Sequence, residues 1–297
     1  MANDTFPELD FLIIGAEKSG TTWLYQNLAK HPDIFLPETK EVHFFNEYNS
    51  YGTKLDNYTK RSPSWYGQFF ATRAQEKVAG EVTPMYLCDP IASTRIAETY
   101  PNIKIIAILR NPVDRALSHY WMARNKAQTK EDIETALLSP DSTFINRSMY
   151  GAQLSRYYAI FPRSSILVLK HEALFESPRK GLNSILDFLG IDAQQLAGID
   201  NNALQAAVFK SSAYRSAFLD RHGSIAARWL RKHTITNHLA NILKSSGLFS
   251  YIKRKNSVPF SYEPLSPEFR LEAFSLFEQD LQKLADLLGP EFEVWNE

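Results

Sequence analysis

In the stretch "IIGAEKSGTTWLYQNL", residues 13–28, an apolar run leads into Gly15, Lys18, Gly20, Thr21 and Thr22 and then into a helical pattern. Successive backbone N–H groups at such a turn, together with the N-terminus of the following helix, make an anion site, and glycines let the backbone approach the ligand closely. A Walker-type phosphate loop sets its lysine directly after the second glycine, where it reaches the β- and γ-phosphates. Here Thr21 follows Gly20 and Lys18 precedes it. The displaced ammonium reaches a different oxygen, which argues against a β,γ-phosphate ligand. Ser19, Thr21 and Thr22 add hydroxyl donors, and the amides as far as Trp23 complete the set.

A second apolar run, within "IIAILRNPVDRALSHYW" (105–121), ends in Arg110. In a phosphoryl-transfer enzyme this strand would be expected to end in an acid for Mg²⁺. An arginine repels a metal and suits a dianionic phosphate through paired hydrogen bonds. Asn111 is placed to cap the helix that follows, with Pro112 first in it and Asp114 in its first turn. Ser118 then lies two turns in, within reach of the same phosphate. In "LPETKEVHFFNEY" (36–48), Glu41 and His43 are two residues apart, so on an extended segment they project to one side. A carboxylate and an imidazole there can activate an acceptor proton, with Phe44 and Phe45 anchoring the segment. By itself a Glu-x-His pair is equally a satisfied structural contact; its place after the loop helix favours the chemical reading.

These residues need a scaffold. Short apolar runs at 9–15, 77–83, 103–110 and 164–170 read as buried strands. Helical patterns fall between and after them at 21–30, 90–99, 112–126, 150–161 and 178–189, with a longer amphipathic run at 266–288. Strand and helix alternate, which predicts a parallel sheet with helices on both faces. There are no repeats or low-complexity tracts.

With 297 residues, 44% of them hydrophobic and 13% aromatic, the chain can bury a large core, as one α/β domain spanning 1–297. The net charge is zero and the pI about 7.1, so nothing global points to nucleic acid or a membrane. The one composition shift is local: Gln205 to Tyr262 carries ten lysines and arginines against the single acid Asp220, the pattern of two solvated helices or of a basic cover over an anionic ligand. Cys88 is alone, no Cys/His cluster has zinc spacing, and no window approaches the ~20 apolar residues of a membrane span. A cytoplasmic protein without a metal is expected.

"KSGTTWL", "HPDIFLPETKEVHFF", "GEVTPMYL", "ILRNPVDRALSHYW" and "NRSMYGAQLSRYYAIFP" follow one another as in sulfotransferases that use 3′-phosphoadenosine 5′-phosphosulfate (PAPS), and the chain most resembles their heparan-sulfate and bacterial glycan-type branch. The resemblance covers most of 9–190 and returns at "YEPLSPEFR". It implies a P-loop-like three-layer sandwich with a mostly parallel central sheet flanked by helices. It also implies that residues 18–23 cradle the 5′-phosphosulfate, that Arg110 and Ser118 hold the 3′-phosphate, and that no metal is needed. Glu41 becomes the general base, with His43 beside it and Lys18 steadying the departing phosphate of adenosine 3′,5′-bisphosphate. The acceptor is expected to be a glycan or a small molecule. The chain departs from the family's pattern at Val82, where glycan-type relatives often carry lysine. It also lacks the histidine of the cytosolic "KTHLP" segment and the cysteine-bridged cofactor loop, whose contacts Arg254 and Lys255 are placed to replace.

Overall fold

The structure is a computed structural model that describes residues 5–193, 212–214, 257–259, 263–292 and 295. Its centre is a five-stranded, all-parallel sheet of β1 (Phe11–Gly15), β2 (Ile34–Phe35), β3 (Val78–Val82), β4 (Lys104–Leu109) and β5 (Ile166–Lys170), in the order β2-β3-β1-β4-β5. Two further strands, β6 (Ser212–Tyr214) and β7 (Ser257–Pro259), pair antiparallel with each other. Apart from these two, the basic 205–262 stretch lies outside the described residues, and so do Arg254 and Lys255.

The helices are α1 (Thr21–Leu28), α2 (Asn57–Lys60), α3 (Pro63–Gly67), α4 (Met85–Cys88), α5 (Ala92–Thr99), α6 (Pro112–Asn125), α7 (Ile133–Leu138), α8 (Thr143–Asn146), α9 (Tyr150–Tyr158), α10 (His171–Glu176), α11 (Pro178–Leu189), α12 (Pro267–Ser275) and α13 (Glu278–Leu288). Alternation along the strands divides them into two layers. Leu12 and Ile14 of β1, with Ile105, Ala107 and Leu109 of β4, face a core completed by α4, α5, α6, α9, α12 and α13. Phe11, Ile13, Ile106 and Ile108 face the other way, onto α1, α10 and α11. Burial on both faces is why these strands read as unbroken apolar runs rather than as alternating ones. The sandwich expected from the sequence is the one found.

Three features differ from the expectation. Ile34–Phe35 adds an edge strand too short to show as a pattern. The 266–288 run is two helices, broken where Phe277 turns fully into the core. The helix expected over 150–161 ends at Tyr158.

Helix α13 also closes the architecture. The Asp280 carboxylate accepts the amides of Gly151 (2.7 Å) and Ala152 (2.8 Å), capping α9 from 129 residues away. A Cβ on Gly151 would lie 2.2 Å from the Asp280 carbonyl oxygen, so the two helices meet backbone to backbone there.

Candidate functional site

In the strand order, β1 and β4 flank the point where the chain's connections reverse direction, and open α/β sheets bind ligands in the crevice at the carboxyl ends of such strands. The loop after β1 occupies it. Lys18 (φ 71°) and Gly20 (φ 92°) both adopt left-handed backbone, which turns successive N–H groups toward one concavity. Gly20 is the N-cap of α1 and offers no side chain to the first turn, so the start of this helix faces the concavity without a side-chain cap. Only glycine fits at that cap: a Cβ would sit 2.6 Å from the Phe175 ring, and φ is positive. Phe175 in turn packs edge-on against Trp23 at 5.0 Å. The Trp23 indole therefore belongs to the core, and only its backbone faces the loop.

Behind the loop, α10 supplies His171, whose Nδ1 lies 3.1 Å from the Ser19 carbonyl oxygen and so carries the proton. Arg110, one residue beyond β4, donates from Nη1 to the Lys18 carbonyl oxygen at 3.5 Å. The two cations expected from the sequence are thus brought together across the crevice. Asn111 caps α6 as its spacing predicts, accepting from Val113 (3.0 Å) and Asp114 (3.3 Å). Asp114, Ser118 and Met122 follow at four-residue intervals in one row of α6. Met122 Sδ receives the Lys18 ammonium at 3.7 Å, so this row flanks the loop and sets the buried Ser118 one turn from that contact.

Glu41 and His43 meet, but not as the two-residue spacing implies. The segment is not extended: both residues are left-handed, at φ 66° and 57°. Each such residue costs on the order of 1–3 kcal/mol and persists only where its surroundings over-determine it. Here Glu41 N donates to the Val82 carbonyl (3.0 Å), Phe44 N to the Tyr86 hydroxyl (3.0 Å) and Asn57 Nδ2 to the His43 carbonyl (2.9 Å). Tyr86 rests on the fully buried Glu81, which also accepts from Tyr66 and Thr83. Burial raises the Glu81 pKa, and these three hydroxyl donors oppose that rise. Val82 lies in the core of β3 and contributes its carbonyl alone.

The resulting geometry places the Lys40 ammonium 2.5 Å from one Glu41 oxygen and His43 Nε2 3.6 Å from the other. Burial lowers the His43 pKa, with Glu41 opposing, so the imidazole is neutral at pH 7. Asn46 Nδ2 lies 3.2 Å from His43 Nδ1. Asn46 Oδ1 lies 3.3 Å from the same nitrogen, so the Asn46 amide meets Nδ1 in either tautomer.

A partly buried ion pair with no local signal in the sequence underlies both halves of the site. Glu17, next to Lys18, pairs with Arg147 at 2.6 Å, and Arg147 also reaches His119 Nε2 at 3.5 Å. Burial works against the Glu17 charge, but His119, Arg147 and Arg115 around it bring its pKa down to about 2. Burial holds His119 down at about 3, reinforced by Arg115, and His171 at about 4, reinforced by Arg110. Glu17 and Arg147 are 130 residues apart, and neither has a local signal beyond its neighbour's motif.

These groups predict acid lability with a definite sign. Between pH 6.5 and their folded values, His119 and His171 bind a proton in the unfolded chain that the native state refuses. Glu17 acts in the same direction from its ordinary 4.5 down to about 2. Stability is complete above about pH 6.5 and falls on acidification, by up to ~1.4 kcal/mol per pH unit for each group in its window. Guanidinium midpoints measured from pH 7.5 to 4 should decline steadily. Burial raises the carboxyls of Glu81, Glu172 and Asp280, which opposes this decline, so NMR titration of the two imidazoles is the deciding check: protonation of both above pH 6 would overturn the reading.

Among the described residues no group of three or more His, Cys, Asp or Glu could hold a metal ion, and no helix is long and apolar enough to cross a membrane. A family model described as a sulfotransferase domain matches residues 8–217. The chain is 34% identical over 160 residues to the membrane-associated sulfotransferase kil1 of Dictyostelium discoideum, covering 51% of this chain and 31% of that protein. It is 29% identical over 193 residues to heparan sulfate glucosamine 3-O-sulfotransferase 6 of Homo sapiens, covering 63% and 53%. It thus spans about a third to a half of the length of these relatives. In fold it is similar to the solved sulfotransferase of Alicyclobacillus acidocaldarius, with a TM-score of 0.66 at 23% identity over 95% of this chain and 96% of that one. With its sulfotransferase domain taking up more than half of its length, the chain belongs to the sulfotransferase family.

Proposed function

We propose that the protein moves a sulfuryl group from PAPS to a hydroxyl, less readily an amine, of a carbohydrate or small-molecule acceptor. The observation that carries this reading is Arg110 reaching the Lys18 carbonyl at the mouth of an uncapped helix. A cation stands where phosphoryl transfer would need a metal-binding acid. The first-turn amides of α1 and Lys18 hold the 5′-phosphosulfate, and Arg110 with Ser118 holds the 3′-phosphate. Glu41 takes the acceptor proton as the acceptor oxygen bonds to sulfur. The bond from sulfur to the phosphate oxygen breaks on the opposite side, and adenosine 3′,5′-bisphosphate leaves with its developing charge met by Lys18 and the loop amides. A relative named for heparan sulfate supports a glycan acceptor over the hydroxyl of a secondary metabolite, lipid or polyketide.

Calorimetry without magnesium tests the donor site. Wild-type protein should bind adenosine 3′,5′-bisphosphate tightly, and Arg110→Ala should weaken it by about 1.5–3 kcal/mol while leaving adenosine 5′-phosphate nearly unchanged. Equal losses for both ligands would sink the assignment. A magnesium requirement would favour a metabolite kinase, and salt-steep polymer binding without nucleotide affinity would favour an anionic-polymer binding module.

A further inference from the structure

The loop that follows His43 is tethered to both halves of the site and carries a bare tip. Asn46 is fully buried and donates from Nδ2 to the Tyr48 carbonyl at 2.6 Å while facing His43. Arg147, already paired with Glu17 of the donor loop, donates from Nη2 to the Ser50 carbonyl at 3.3 Å. Beyond these tethers the chain closes a small hairpin. Tyr48 bridges Lys54 in antiparallel fashion, and Asn49 Oδ1 accepts the amides of Tyr51 (2.9 Å) and Thr53 (3.0 Å). Gly52 supplies the left-handed residue at φ 72°.

This ordered turn holds Tyr51 56% exposed and Tyr48 44% exposed, the only exposed aromatic rings among the described residues. Lys126 at the end of α6 reaches the hydroxyl edge of Tyr51, with its ammonium 4.9 Å from the ring centre and 2.9 Å from the hydroxyl. Lys126 is one turn beyond Met122, which touches Lys18. A closed path of contacts and chain neighbours therefore runs from Lys18 through Met122, Lys126, Tyr51, Arg147 and Glu17 back to Lys18.

We propose that the 47–54 hairpin with Lys126 is the acceptor subsite, and that it takes a sugar ring whose C–H face stacks on Tyr51. This rests on the sulfuryl-transfer reading. A pyranose combines an apolar face with a rim of hydroxyls. The tip offers a half-exposed aromatic ring beside the Lys126 ammonium, and aromatic rings present a negative face to polarised hydrogens. A flat apolar alcohol needs a pocket that buries most of its surface, whereas Tyr51 is 56% exposed. Arg147 acts on this subsite as a positioning residue, holding the hairpin against the donor loop.

The test measures binding to protein saturated with adenosine 3′,5′-bisphosphate, using three oligosaccharides (one built of glucosamine and glucuronate, one of N-acetylglucosamine, one of galactose) and 4-nitrophenol. At least one oligosaccharide should bind. Tyr51→Ala should weaken it roughly tenfold and Tyr51→Phe by less than twofold, since the ring and not the hydroxyl does the stacking. Nucleotide affinity should be unchanged in both variants, because Tyr51 is a surface residue outside the donor loop. Oligosaccharide affinity unmoved by Tyr51→Ala, or binding of 4-nitrophenol alone, overturns the subsite while leaving the donor reading standing. Loss of nucleotide binding by the wild-type protein overturns both.

Discussion

Replacing Glu41 by Gln is expected to leave adenosine 3′,5′-bisphosphate affinity intact while turnover falls by on the order of 10²–10⁴. The substitution keeps the shape of the side chain and lets it hydrogen-bond to Lys40, but an amide cannot accept a proton at neutral pH. Fold damage is a poor alternative account of such a loss, because the loop is held by main-chain and aromatic contacts that the change does not touch: Glu41 N to the Val82 carbonyl, Phe44 N to Tyr86, and Asn57 to the His43 carbonyl. His43→Ala should cost less, since His43 stands 3.6 Å from the Glu41 carboxylate and orients it rather than taking the acceptor proton. Single-turnover assays with bound PAPS separate the roles. Near-native turnover in Glu41→Gln combined with collapse in His43→Ala would transfer the base to His43.

Lys18→Met should lower turnover by about 10²–10³, the scale for removing one preorganised donor from a developing charge. Methionine keeps about the length of the side chain whose ammonium reaches Met122, so packing changes little. The loss should fall on kcat, with the acceptor KM nearly unmoved, because the ammonium holds the donor and not the acceptor and meets charge that grows as the phosphate departs. An increase confined to KM would assign Lys18 to ground-state binding. Lys18→Arg should restore little: the guanidinium is larger and planar, and the residue is fixed in left-handed backbone by the loop.

The sheet and the donor loop were legible because their signals are local. A strand buried on both faces writes itself as an apolar run, as at Phe11–Gly15 and Lys104–Leu109, and an N-cap with Pro at the next position marks α6. What stayed hidden depends on contacts between distant residues. The left-handed turns at Glu41 and His43 follow from Tyr86, Val82 and Asn57, which no pattern in residues 36–48 announces. Helix α10, which presses His171 and Phe175 against the donor loop, looks like an ordinary exit from β5. The break between α12 and α13 comes from Phe277 seeking the core, and a continuous amphipathic pattern does not show it. Trp23 reads as part of a binding motif because of its neighbours, while its indole fills space beneath the sheet.

The Asp280 clamp on α9 has a consequence for the order in which the protein is made. When Gly151 and Ala152 leave the ribosome, the carboxylate that will cap their helix is still 129 residues away. At ordinary elongation rates of 5–20 residues per second that interval is on the order of ten seconds. For most of it the sheet can pair, since every strand of the parallel sheet has been synthesised by Lys170. Its α9 face, however, lacks Phe277, Leu281 and Leu284, which complete that core. The nascent chain therefore spends this interval with apolar surface uncovered and one helix start unsatisfied, and its final consolidation is a late event set by synthesis of the last helices.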